Sequence, residues 1–123
     1  MMLDKIFDSN KIVEKSLNTA WIRNKTIAQN IANIDTPGYK RITVSFEDKL
    51  RLAMQKNNFE KKDVDNIDIT ISRDNKTLSA RLDGNNVNID TEMAELAENS
   101  IRYNALIQSA GFSGLKHVLT NAK

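Results

Sequence analysis

One helical stripe limits what this chain can become. Val13, Leu17, Ala20, Ile27, Ile31 and Ile34 recur in steps of 4, 3, 7, 4 and 3, with Ile6 ahead of them. Asn24 fills the gap inside the step of seven, and Asn10 stands one step before Val13. A 3.5-residue repeat belongs to a helix that faces another helix along a seam. The spacing predicts a helix over 8–33, with Asp8 or Ser9 supplying the side-chain oxygen that caps its free amides. At about 1.5 Å per residue it would be roughly 38 Å long, too long for a small domain to cover. The chain holds only 4 Gly and 1 Pro among 123 residues, so turns are few and elements long. Aromatic residues are 6% of the total, which argues against a large compact core.

The C-terminal part mirrors the first. Asp90 or Thr91 is placed to cap a helix running toward Asn121. Glu92, Glu95 and Glu98 near its start, and Lys116 and Lys123 near its end, suit the helix dipole. One apolar stripe is Ala97, Ile101, Ala105, Phe112, Leu115, Leu119 and Ala122. A second is Leu96, Tyr103, Ile107 and Ala110. Together they make a face wider than one partner helix covers, and excess apolar surface on a long helix points to other subunits. Gly111 and Gly114 weaken this helix by about 1 kcal/mol each relative to Ala.

The fold expected is mainly α. Two long terminal helices pair as a coiled-coil-like hairpin around a small middle segment. Three parts follow: 1–34, the first helix; 35–89, the middle; and 90–123, the last helix. Within the middle, Arg41 to Phe46 reads as extended, with Ile42, Val44 and Phe46 on one side. Ser45 and Asp48 suit the start of a short helix through about Gln55. Ile67, Ile69 and Ile71, then Leu78, Ala80 and Leu82, alternate with polar residues around the turn-forming run 73–76. That is a β-hairpin pattern over 67–82. The charged, unpatterned stretch 55–65 is expected to be mobile.

Catalytic inventory is nearly empty. Cysteine is absent and His117 is the single histidine, so thiol chemistry and any site needing two imidazoles are excluded. His117 near a helix end suits a surface or dipole role. The run Asp83-Gly84-Asn85-Asn86-Val87 resembles the start of a calcium loop but lacks the ligand at position five and the Gly at position six. Asn24-Lys25-Thr26 and Asn75-Lys76-Thr77 fit a glycosylation pattern that is common by chance. No catalytic, cofactor-binding or metal-binding residue is expected. Residues 1–10 lack the apolar stretch of a signal peptide, and no run approaches the roughly 18 apolar residues of a membrane helix. A soluble protein that bypasses the general secretory route is expected. The net charge of +2 does not favour nucleic acid. Trp21, off the main stripe, is either ordinary packing or an anchor at a subunit contact.

The most distinctive segment ends the first helix: Asn30-Ile31-Ala32-Asn33-Ile34-Asp35-Thr36-Pro37-Gly38-Tyr39. Asn33 tolerates the left-handed conformation that closes a helix. Pro37 and Gly38 suit the centre of a type II turn. Asn30 and Asn33 share a face and can bond neighbouring backbone. A well-made helix stop explains Asn33, Pro37 and Gly38, but not the second Asn in frame. This run resembles the N-terminal signature of the flagellar rod, hook and hook-associated axial proteins. The stretch 83–94, continuing to Ile101-Arg102-Tyr103, is also similar to that family, and with the short length it favours the proximal-rod proteins of the FlgB type. The sister FlgC type is the near alternative.

The resemblance implies a structural subunit of a helical drive-shaft tube needed for motility. It implies terminal helices that pair in the inner layer, while neighbours bury the remaining apolar faces. Asn30, Ile31, Ala32, Asn33, Thr36, Pro37, Gly38 and Tyr39 would serve assembly. The helix seam would be Val13, Leu17, Ala20, Asn24, Ile27, Ile31, Leu96, Ala97, Ile101, Tyr103, Ile107, Phe112, Leu115 and Leu119. Implied partners are other copies, other rod proteins, the rod-junction protein, the inner-membrane ring protein and the export gate. Implied location is the basal body on the periplasmic side of the inner membrane, reached through the flagellar type III apparatus without a cleaved signal. Nucleic acid and membrane insertion are not implied, and no cofactor is. A free monomer is expected to be partly disordered and to order on assembly. Two other readings compete. A soluble coiled-coil adaptor or regulator would use the same seam. A weak nucleic-acid binder would use Lys11, Lys15, Arg23, Lys25, Lys40 and Arg41.

Overall fold

The computed structural model describes residues 2–56, 59–76 and 81–121, with side chains at all of these except 2–10, 61 and 112–121. Helix α1 spans Met2–Ala32 and helix α4 spans Ile89–Asn121. Between them lie strand β1 (Ile42–Ser45), helix α2 (Glu47–Met54), helix α3 (Lys61–Asp65) and strand β2 (Thr70–Arg73). The molecule is mainly helical, and the two long helices pack against each other, as the repeat predicts. At about 1.5 Å per residue the 31 residues of α1 reach roughly 46 Å.

Several boundaries differ from the sequence reading. The first helix starts at Met2 and runs through Asp8 and Ser9, so neither caps it. No Gly or Pro stands in 1–10 to stop the helix extending. The last helix starts at Ile89, and its cap is Asn88 rather than Asp90 or Thr91. Asn88 Oδ1 accepts from the amides of Asp90 at 2.9 Å and Thr91 at 3.4 Å. Helix α2 is entered from Phe46, with no side-chain cap from Ser45. The stretch expected to be mobile contains α3. A capping box forms there, in which the Glu60 amide donates to the Asp63 carboxylate at 2.8 Å. Val64 beside it is fully buried.

The two-stranded sheet is antiparallel. It pairs Ile42 with Arg73, Thr43 with Ser72, Val44 with Ile71 and Ser45 with Thr70. Its partner strand is therefore the one after the first helix. The second arm of the expected hairpin, 78–82, falls mostly on residues 77–80, outside the described residues.

Apolar burial is concentrated where the middle segment meets α1. Phe46, Val64, Ile67 and Val87 are buried there together with Ala20 and Ile27. Thr19 and Thr26, seven apart on α1, are buried too. Each hydroxyl donates to the carbonyl one turn back, Lys15 or Ile22, at 2.8 Å, so a polar side chain can be enclosed at little cost. Lys15 extends its ammonium to the carbonyls of Val64 at 2.9 Å and Asp65 at 3.2 Å, closing the end of α3. No described helix is long and apolar enough to cross a membrane.

Candidate functional site

The end of α1 is held by a lattice of buried amides. Asn30 is fully buried. Its Oδ1 accepts from the Ile42 amide at 2.8 Å and from the Tyr39 hydroxyl at 2.9 Å. Its Nδ2 donates to the Ile42 carbonyl at 2.9 Å and to Glu92 Oε2 at 3.3 Å. A carboxamide has two donor and two acceptor positions, and here all are filled. Asn30 thus takes both backbone groups of Ile42, as a neighbouring strand would, and shields that edge of β1.

Glu92 joins the lattice from α4. Its side chain is fully buried and accepts from Arg41 Nε at 2.8 Å. Arg41 also reaches Glu95 at 2.9 Å and Asp74 at 3.8 Å. Burial works against the guanidinium's charge. The bond to Glu92 and the charges of Glu92, Glu95 and Asp74 outweigh it, so the Arg41 pKa is raised and the group stays protonated. Beside it, Arg23 grips Glu47 with two bonds, at 2.7 and 2.8 Å, and the Val44 carbonyl at 3.0 Å.

The run before α4 closes the other side. Asn85, buried to 1% exposure, donates through Nδ2 to the carbonyls of Asn33 at 2.9 Å, Ile34 at 3.0 Å and Thr36 at 2.9 Å. These are carbonyls at and just beyond the end of α1, which need partners. Asn86 accepts from the Arg41 amide at 2.7 Å and donates to the Asp74 carbonyl at 2.7 Å. Arg81 donates to the Ile34 carbonyl, and Lys40 to the Gly84 carbonyl. The Gly38 amide donates to the Asp83 carbonyl at 2.7 Å.

The turn at 36–39 has the bond from the Tyr39 amide to the Thr36 carbonyl at 3.2 Å, with Gly38 at φ 73°. A positive φ at the third position is the type II requirement that Gly meets without strain. Asn33 is not left-handed, since no described residue other than Gly has positive φ. It acts through its side chain instead, donating to the Gln29 carbonyl at 2.8 Å and accepting from the Thr36 hydroxyl at 3.1 Å. Asn85 supplies the carbonyl capping that a left-handed residue otherwise provides.

Along the seam, Ala20 and Ile27 are buried, while Val13, Leu17, Asn24 and Ile31 are half-buried. Asn24 meets a second Asn across the helix pair. Asn99 of α4 donates to Asn24 Oδ1 and to the Ala20 carbonyl, both at 2.8 Å. On α4, Leu96 and Tyr103 are half-buried. Ala97, Ile101 and Ile107 are exposed, and the side chains of Phe112, Leu115 and Leu119 lie outside those described. The positions of α4 turned inward are Glu92, Leu96, Asn99, Tyr103, Leu106 and Ala110, again in steps of 4 and 3. Glu92 and Asn99 interrupt the apolar pattern, so periodicity does not mark them as inward positions. Within the signature, Asn30 is buried, Ile31, Asn33 and Tyr39 are half-buried, and Ala32, Thr36, Pro37 and Gly38 are exposed. Trp21 is half-exposed, with Lys25 Nζ 3.8 Å from its ring centroid.

The arrangement is built to hold backbone. A cleft of about 230 Å³ between α1, β1 and α4 is bordered by Arg23, Arg41, Arg102, Glu95 and Glu98, whose charges pair with acids and bases of the same chain. Among the described residues no group of His, Cys, Asp and Glu is placed to hold a metal ion. Four of the basic residues considered for nucleic acid, Lys15, Arg23, Lys40 and Arg41, are spent on internal bonds.

Comparison with known proteins gives a consistent result. The family described as "Flagella basal body rod protein" matches residues 15–40, which span the seam and the junction. A flagellar basal body rod protein FlgB from Bacillus subtilis (strain 168) is 40% identical over 119 residues, covering 90% of this chain and 92% of its own. The protein of that name from Borrelia hermsii is 34% identical, covering 88% and 93%. That from Escherichia coli (strain K12) is 28% identical, covering 96% and 97%.

Proposed function

From the premise that the chain belongs to the flagellar basal body rod protein family, and to its FlgB branch rather than the FlgC type, we propose how it works there. It is a structural subunit of the rod, located in the basal body, and not an enzyme. In the proposed reading its two terminal helices form the inner layer of a helical tube, and 35–89 is a separate middle segment. Its neighbours are other copies, other rod proteins, the rod-junction protein, the inner-membrane ring protein and the export gate. It reaches the periplasmic side of the inner membrane through the flagellar type III apparatus, without a cleaved signal.

One observation carries this reading. Among the described side chains of α4, the buried ones are Glu92 and Asn99, while Met93, Ile101 and Ile107 are 52%, 72% and 45% exposed. A helix that buries its polar residues and presents its apolar ones is covered by something outside its own chain. Ile101→Asp tests it in flagellated cells. The expected result is normal synthesis, no variant in purified basal bodies and no swimming. Normal basal bodies and swimming with Asp at this position would contradict the reading.

A further inference from the structure

The outer edge of β1 is only partly paired. Asn30 takes both the amide and the carbonyl of Ile42, so these groups point away from β2. In an antiparallel strand every second residue does the same, which sets Val44 on that edge, about 7 Å further along. The Val44 carbonyl accepts from Arg23 at 3.0 Å. The Val44 amide finds no acceptor among the described residues.

Val44 borders the cleft of about 230 Å³ between α1, β1 and α4, and so does Asn99 on α4. Asn99 is 2% exposed. Its Nδ2 is spent on Asn24 and on the Ala20 carbonyl. Its Oδ1 is enclosed and accepts nothing among the described residues. One wall of the cleft thus holds a donor without an acceptor, and another an acceptor without a donor. Leaving a buried polar group unpaired is costly, so the two together describe what the cleft lacks.

The rim narrows the choice. Arg23 and Arg102 share Glu47, Arg102 also holds Glu98, and Arg41 holds Glu95. An ion entering the cleft would have to break one of these pairs, so the occupant is uncharged. The space is below the roughly 300 Å³ at which small-ligand pockets begin, and suits a side chain. A second strand does not fit, because Asn30 and Arg23 already hold the amide and carbonyl of Ile42 and the carbonyl of Val44. A hydroxyl carries donor and acceptor on one oxygen. A carboxamide carries them on separate atoms and can bridge from β1 to α4. Asn30 already serves the neighbouring position of the same edge in this way.

We infer that the cleft receives the side-chain carboxamide of an Asn or Gln from a neighbouring rod chain. Its oxygen accepts from the Val44 amide, its nitrogen donates to Asn99 Oδ1, and its apolar stem lies over Ile27 and Ile42. The inference rests on the rod reading and adds what one neighbour brings to one place.

The test uses basal bodies from cells producing the full chain. Hydrogen exchange over 42–46 needs no substitution. Basal bodies should protect one more amide there than the isolated chain does, that of Val44, and no added protection would overturn the inference. Next, a benzophenone amino acid replaces Thr43, which also borders the cleft. Light should join it to an Asn- or Gln-containing peptide of another rod chain. Changing that Asn or Gln to Leu should lower incorporation about tenfold, the loss expected for buried groups left unpaired. The double variant Asn24→Leu with Asn99→Leu should lower it as much, and combining the two changes should add nothing. Purified, that double variant should melt no lower than the unmodified chain, because it removes the buried pair together. A lower melting point alongside the loss would make Asn99 a purely structural residue and overturn the inference. Adducts within the same chain only, or a partner Asn or Gln whose replacement changes nothing, would overturn it in favour of a cleft filled by water. Absence of the unmodified chain from the basal body would instead overturn the rod reading itself.

Discussion

The junction at the end of α1 and the outward face of α4 are opposites. At the junction, Asn30, Asn85, Asn86 and Glu92 are buried, and their amide and carboxylate groups bond backbone or an opposite charge. On α4, the apolar Ile101 sits 72% exposed. Ordinary small domains place apolar groups inside and polar ones outside. The inversion divides the labour. The junction fixes how the two helix roots and the middle segment sit relative to one another, while in the proposed reading the helix faces are left for contacts beyond the chain.

Substitutions that separate the two regions should show effects in a graded order. Arg41→Ala leaves the fully buried Glu92 carboxylate without its cation. Removing one partner of a buried pair costs about 3–5 kcal/mol, and urea denaturation of the purified chain should register a loss of that order. The double variant Arg41→Met with Glu92→Leu should lose less than the two single losses added. Additive losses would mean that the pair is not coupled.

Asn85→Ala removes the donor to three carbonyls and should cost on the order of 2–3 kcal/mol. Asn85→Asp should be worse, because it adds negative charge at the negative end of the α1 dipole. An Asp variant as stable as wild type would show that those carbonyls do not depend on Asn85. Gly84→Ala should cost about 1–2 kcal/mol, because φ is 79°. A clash is not the cause, since an added Cβ would find Gly38 Cα at an ordinary 3.7 Å.

Acidification gives a smaller effect. The bond from Arg23 holds the Glu47 carboxyl below its usual range, although burial opposes this. A lowered folded-state pKa means stabilisation that is present above the ordinary carboxylate range and lost as pH falls through the lowered value. The Glu47 side chain is 48% exposed, so solvent screening keeps this contribution below about 1 kcal/mol. Glu47→Gln should flatten the acid limb of a stability-against-pH curve by that amount. Smallest for the isolated chain is Ile101→Ala, expected within about 0.5 kcal/mol of wild type because the site is exposed. The same change should reduce incorporation into basal bodies.

These contrasts also explain what could be read from the sequence. The α1 seam was legible because its repeat is regular, and the Pro37-Gly38 turn because its chemistry is local. Asn24 falls on the seam repeat, but its partner Asn99 is hidden, since a lone Asn between Glu98 and Ser100 looks solvated. Hydrophobic periodicity finds two adjacent stripes on α4, with Ala97 and Ile101 on one and Leu96 and Tyr103 on the other. It has no means of telling a face turned to the chain's own helix from one turned to a neighbour. The sequence points to too late a start for α1 because Asp8 and Ser9 are good caps that the helix does not use. The bonds from Asn30 to Glu92 and from Asn85 to Asn33 join residues 62 and 52 apart, and no local pattern encodes them.

The central claim is that the junction orders itself, whereas the outward face of α4 needs neighbours. Amide hydrogen exchange on the isolated chain, at a concentration where sedimentation shows monomer, tests it most directly. Slow exchange is predicted at the amides of Gly38, Arg41, Ile42 and Glu92, with fast exchange across 100–111. Equal, strong protection throughout α4 in a monomer would contradict the account.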